Sequence, residues 1–212
     1  MGRKLKILLL SLAAISALTF LAGRLAPLAD KWWMQRVLQT FFYLLIAGVA
    51  LLAMRRTDIK LELDVKNKKQ YLIGLYIALA LLPVIAIIPA LLGTSLVGEH
   101  TALRYDRLAV EFLTCMLAIG PVEELVFRIY VQDTLTGFLK KHKWIGVVGA
   151  AMIFGAWHII NGNWAQGLFT FGIGLVFGLC RHLIKDCGYL GLAFAHGLYD
   201  FLIALVRIFI VK

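Results

Sequence analysis

Charge is what this chain has least of. Asp, Glu, Lys and Arg make up 16% of its 212 residues, against 61% hydrophobic ones. A soluble domain carries about a quarter charged and about half apolar residues, so the shortage excludes a water-soluble domain and points to a polytopic membrane protein. Acids are scarcer than bases, 12 against 22, which leaves a net charge of +10. In a soluble chain that excess would suggest nucleic acid. Here the bases gather at the ends of apolar runs, where they set orientation and meet anionic headgroups, and no nucleic-acid partner is expected. Cysteine is limited to Cys115, Cys180 and Cys187, with no Cys-x-x-Cys spacing. That excludes a disulfide framework or thiolate metal cluster and leaves small apolar fillers or loop thiols. There is no His-Glu-x-x-His, no obvious internal repeat, and no Cys four from the C-terminus that would make the chain a prenylation substrate.

What is present is a series of long apolar runs, about seven, so the expected fold is an all-α transmembrane bundle. The first run, 7–22, follows a basic start and resembles a signal peptide in outline, but its length and the spans behind it favour a retained helix. The second covers 37–54. Residues 55–69 hold six Lys or Arg and three Asp or Glu; Ile59, Leu61, Leu63 and Val65 alternate with polar residues there, and a solvated loop is preferred over a short strand. The third span, 71–92, contains Pro83 and Pro89 as expected bends, and a polar loop fills 93–106. The fourth runs from 107 to 139 with an interruption at Gly120-Pro121. The fifth, sixth and seventh cover 144–160, 165–184 and 189–211. In the sixth, Gly174-x-x-x-Gly178 permits close helix contact, with Gly167 and Gly172 adding small surface. Basic residues at the N-terminus, at 55–69 and at 140–143 mark the cytoplasmic side, and seven spans then leave the C-terminus outside.

The fourth span carries Glu123, Glu124 and Arg128 inside apolar sequence. Each charge at the centre of a membrane helix costs roughly 2.5–3.5 kcal/mol on insertion scales, so these residues need partners or a hydrated cavity. Glu124 and Arg128 are four apart with the acid N-terminal, the favourable pairing. Glu123 points about 100° away and must face something else. Candidates lie on later spans: His158, four after Phe154, and His196, four before Asp200 and on the same helix face. Glu111 is either a further group of this kind or, near the start of its helix, exposed; His142 and His182 are expected to face water. One difficulty is level. His158 lies about 21 Å along its helix and His196 only about 10 Å along its own, both counted from the same side.

Glu-Glu-x-x-x-Arg at 123–128, Phe-x-x-x-His at 154–158 and His-x-x-x-Asp at 196–200, in that order on separate spans, resemble the signature of the CPBP (Abi) family, which includes the type II CAAX prenyl endopeptidases. The resemblance covers roughly residues 108–205 and divides the chain into N-terminal transmembrane helices, 1–100, and a CPBP-type helical core, 101–212. It implies an intramembrane glutamic peptidase in which Glu123 and His158 activate water and Glu123 is the base. Glu124 would pair with Arg128, and His196 with Asp200 would stabilise the oxyanion. Asp200 would either orient His196 or be protonated itself. The partners it implies are a peptide or membrane-protein substrate, lipidated or not, and the bilayer; the short loops suit a prokaryotic plasma membrane.

Other readings stand beside this one. Glu123 and two His supply a ligand set for zinc in the three-plus-water manner of catalytic sites, although no cofactor is the preferred expectation. Intramembrane Glu, His and Asp also serve proton relays, but transport folds built on paired repeats with broken helices find no counterpart here. A scaffold or self-immunity protein that keeps the motif without cleavage is the remaining class. Serine or cysteine nucleophiles are disfavoured, since Ser11, Ser16 and Ser95 lie far from the cluster and the cysteines lack an adjacent base.

Overall fold

A long apolar segment in lipid has to satisfy its own backbone groups, and an α-helix does so within the segment. In the computed structural model, which describes residues 2–87 and 105–210, the apolar runs are helices, and no strand occurs among those residues. We number them α1 (Gly2–Leu25), α2 (Trp32–Thr57), α3 (Lys68–Leu82, continued by a π turn at Pro83–Ile87), α4 (108–138), α5 (Lys143–Ile159), α6 (Trp164–Leu183) and α7 (Tyr189–Ile210). Five of them, α1, α2, α3, α6 and α7, are long and apolar enough to cross a membrane, and α5 is a shorter apolar helix of the same kind. Pro89 and most of the 93–106 loop fall outside the described residues. Residues 59–65, between α2 and α3, form a loop and not a strand. It starts at Asp58, whose left-handed φ of 61° ends α2, and closes at Asn67, whose side chain caps α3 by accepting from the Lys69 amide.

The first helix is a wall of the bundle. Leu8, Ser11, Ile15 and Thr19 are buried along one stripe of α1. Ser11 donates to the Leu8 carbonyl and therefore accepts from the Tyr130 hydroxyl of α4, 2.7 Å away. Trp157 and Asn161 both donate to Thr19, at 2.7 and 2.6 Å. These bonds tie α1 to α4 and to the end of α5.

In α4 the expected break at Gly120-Pro121 is replaced by a continuous rod. Proline has no amide hydrogen and crowds the turn before it. The chain accommodates this by widening on either side: Cys115–Ile119 and Leu125–Gln132 are π-helical, and the Gly120 amide reaches back five residues to Cys115. Such widenings are rare in helices and gather at functional sites. Here they bracket Glu123 and Glu124.

Small residues then set how closely α4 and α7 approach, since without a hydrophobic force between helices in lipid, packing rests on contact. A methyl group on Gly120 would come within 2.5 Å of the Gly197 nitrogen, and one on Gly197 within 2.6 Å of the Cys115 carbonyl oxygen. The two backbones therefore touch one turn from Glu123 and next to His196. The α5–α6 pair uses Gly155, Gly167, Gly174 and Gly178 in the same way. Gly172, expected to join them, faces open space.

The start of α7 is tied to α3: Cys187 is buried, and Gln70 at the start of α3 accepts from the Gly191 amide while donating to the Asp64 carbonyl. His158 in the last turn of α5 and His196 near the start of α7 both reach Glu123, so the difference in level counted along the sequence is closed in the bundle.

Candidate active site

A cavity of about 530 Å³ penetrates the bundle from one end. Its wall is built from the C-terminal turns of α1 and α5, the N-terminal halves of α2, α4 and α6, and the C-terminal half of α7. Glu123, His158, His196 and Asp200 all line it, together with Tyr43 and Tyr199. Trp33, an exposed interfacial aromatic at the start of α2, marks its outer level. Tyr43 lies ten residues further along, so the floor is about 15 Å below that level.

Glu123 is 3% exposed. Its Oε1 accepts a hydrogen bond of 2.7 Å from the Tyr43 hydroxyl. Its Oε2 has no hydrogen-bond partner in the protein and lies 3.7 Å from His158 Nε2 and 3.6 Å from His196 Nε2. Three spans thus meet at one carboxylate oxygen, and α2 supplies a fourth contact.

The hydrogen bonds of the imidazoles fix their tautomers. His158 Nδ1 is 2.9 Å from the Phe154 carbonyl, which only accepts, so Nδ1 carries the proton and a neutral His158 turns a lone pair at Nε2 toward Glu123. This is the structural meaning of Phe-x-x-x-His: residue i of a helical turn offers its carbonyl to the side chain at i+4. Phe154 also packs edge-on against the His158 ring, with centroids 4.5 Å apart. His196 Nδ1 donates to Glu124 Oε1 at 2.7 Å, and its ring leans on Phe177 and Tyr199.

Glu124 therefore has two partners. Its Oε2 is 3.3 Å from Arg128 Nε, the pairing expected from the spacing, while Oε1 holds His196. Both Glu124 and Arg128 are fully buried, and the Arg128 guanidinium also stacks 4.7 Å over the Phe154 ring. Asp200 Oδ2 is 3.6 Å from His196 Nε2, so the shorter contact to that imidazole comes from Glu124.

Of the two readings open for Glu111, the buried one holds: it is 6% exposed, lines the cavity and is ion-paired with Arg36 of α2. Arg36 also donates to Gln39 at 2.7 Å. Arg36 was expected in a short loop before the second span, but α2 begins at Trp32 and takes it in; Tyr43 sits in an apolar span with no motif around it, and only the partners of these two residues on α4 give them meaning. His142 and His182 are exposed, as expected. Among the described residues no three His, Cys, Asp or Glu side chains are arranged to hold a metal ion.

Residues 105–202 match the family model described as type II CAAX prenyl endopeptidase Rce1-like. Over that stretch the chain is similar to this family. The Rce1-like stretch runs from just before α4 to Leu202 in α7 and contains Glu123, Glu124, Arg128, His158, His196 and Asp200. It leaves out α1, α2 and α3, and with them Tyr43 and Arg36. No curated protein and no solved structure matches the chain. Five helices long and apolar enough to cross a membrane point to an integral membrane protein, and residues 105–202 are similar to an Rce1-like protease family.

Proposed function

We propose that this protein is an intramembrane endopeptidase that hydrolyses a peptide bond with a water activated by Glu123 and His158. The observation that carries the reading is the free Oε2 of Glu123, buried, facing the cavity and flanked by two imidazole nitrogens. A buried carboxylate oxygen with no protein partner is costly unless something in the cavity donates to it. A water there gives one hydrogen to Oε2 and the other to the His158 Nε2 lone pair, which leaves its own lone pairs for a carbonyl carbon.

The reaction then balances within the site. The water proton passes to Glu123 as the water oxygen bonds to the scissile carbonyl carbon. The carbonyl oxygen becomes an oxyanion and needs a donor. His196 supplies one from Nε2 in its imidazolium form, with Glu124 accepting at Nδ1. Glu123 next returns its proton to the amide nitrogen as the carbon–nitrogen bond breaks, and an amine and a carboxylic acid leave. Tyr43 holds Glu123 by its other oxygen. Glu124 and Asp200 position His196 and balance its charge, and Arg128 holds Glu124 by its other oxygen.

Support for peptide hydrolysis over transport or scaffolding comes from the likeness of residues 105–202 to a protease family and from this convergence of a base and two imidazoles. The test is a proteomic comparison of cells carrying the wild-type chain and Glu123→Gln. Accumulation of one or a few uncleaved membrane-associated precursors in the variant is expected. Identical profiles, with both proteins present at equal levels, would overturn the reading.

A further inference from the structure

The two ends of the bundle differ in charge and in access. One end gathers most of the basic residues: three within the first six positions, six between 55 and 69, three between 140 and 143, and two between 181 and 185. The opposite end carries Arg24, Lys31, Arg36, Arg107 and Arg207 among the described residues, still far fewer than the first, and Arg36 is neutralised by Glu111. Because excess Lys and Arg in short loops mark the cytoplasmic side, the first end faces the cytoplasm. Exposed aromatics flank both ends, Trp144 at the basic one and Trp33, Tyr105 and Trp164 at the other, as expected for two interfaces.

Among the described residues, the lining of the cavity reaches the surface at the less basic end. Gly23, Pro27, Trp32, Gln35, Arg107 and Asn161 form its mouth, and all belong to turns or helix ends on that side. Toward the basic end the floor is sealed. Phe127, Arg128, Phe154 and Phe177 are at most 1% exposed below Glu123 and His196, and Tyr189 closes the gap between α7 and α4 by donating to the Pro121 carbonyl at 3.0 Å. A peptide in the cytoplasm meets packed side chains on its way to Glu123.

We propose that the site is entered from the non-cytoplasmic face, so that its substrate is a polypeptide segment exposed there: an exported peptide or the outward part of a membrane protein. A lipidated tail lying in the cytoplasm would not reach it. The part of this inference that names a substrate rests on the peptidase reading; the part that names a face does not.

The face is tested without any cleavage assay. Lys31→Cys at the cavity end, Gln39→Cys inside the mouth, and Lys66→Cys and Lys141→Cys at the basic end are each expressed in the full chain, with the wild type as the blank for its three native thiols. Intact cells are treated with a membrane-impermeant maleimide. The expected result is full labelling of Lys31→Cys and Gln39→Cys, with labelling of Lys66→Cys and Lys141→Cys absent until the membrane is permeabilised. The reverse pattern, or equal labelling of both ends in intact cells, overturns the proposal. Because these variants report orientation alone, loss or survival of cleavage in Glu123→Gln is a separate result.

Discussion

Replacing Glu124 by Gln removes one negative charge from the interior and leaves nearly everything else in place. Gln can still accept from His196 Nδ1, so the 2.7 Å contact survives in form. What changes is Arg128. Its guanidinium is fully buried, its three nitrogens have no hydrogen-bond partner in the protein, and the charge that balances it is the carboxylate 3.3 Å away. At an effective dielectric constant of 20, two unit charges at that distance attract by about 5 kcal/mol, and removing one partner of a buried pair typically costs about 3–5 kcal/mol. The Phe154 ring under Arg128 offsets up to about 2 kcal/mol of this when desolvated. A loss of about 1–3 kcal/mol is therefore expected, above the roughly 0.6 kcal/mol average for neutral polar contacts between membrane helices. Reversible unfolding in mixed micelles, titrated with a denaturing detergent, measures it. The second arm is Glu124→Gln combined with Arg128→Met, which removes both charges and should recover most of the loss, since apolar replacement of a whole buried pair is often neutral. A single variant within about 0.5 kcal/mol of wild type, the ordinary range for uncritical substitutions, would refute the reasoning. So would a double variant no more stable than the single one.

Three other outcomes follow from the geometry. Tyr43→Phe removes the donor to Glu123 Oε1 and should lower cleavage at unchanged protein level, by about tenfold if the bond is worth about 1.4 kcal/mol in the transition state; unchanged kcat would show that Tyr43 does not position the base. Gly197→Ala places a methyl 2.6 Å from the Cys115 carbonyl and should cost about 1–3 kcal/mol as an overpacked contact, with activity falling as α7 moves off α4, whereas Gly172→Ala, in open space, should change neither. Exhaustive chelation should leave activity intact, because Glu123 provides the base; loss restored by zinc would move the mechanism to a metal-bound water.

The pattern of legibility follows from distance along the chain. Pairs within one helical turn were readable: Glu124 with Arg128, Phe154 with His158, His196 with Asp200. Their spacing alone puts them on one face. The apolar runs gave the helices to within a few residues for α5, α6 and α7, because hydropathy constrains a membrane span strongly. Contacts across the bundle were hidden. Tyr43 meets Glu123 across 80 positions and Arg36 meets Glu111 across 75, and neither has a local signature. Proline at 121 announced an irregular helix, but not that the ladder would widen by π turns on both sides of it. Glycines were visible as small residues; which ones touch a neighbour depends on rotation about the helix axis, so Gly120 and Gly197 mattered and Gly172 did not.

The central claim is that Glu123 is the base for a water-mediated cleavage inside the bilayer. It is tested most directly by purifying the wild-type chain and Glu123→Gln, reconstituting each in lipid vesicles, and supplying the precursor that accumulates in cells carrying the variant. Cleavage should vanish in Glu123→Gln while its unfolding curve overlays that of the wild type. Cleavage by the variant at a comparable rate would contradict the claim.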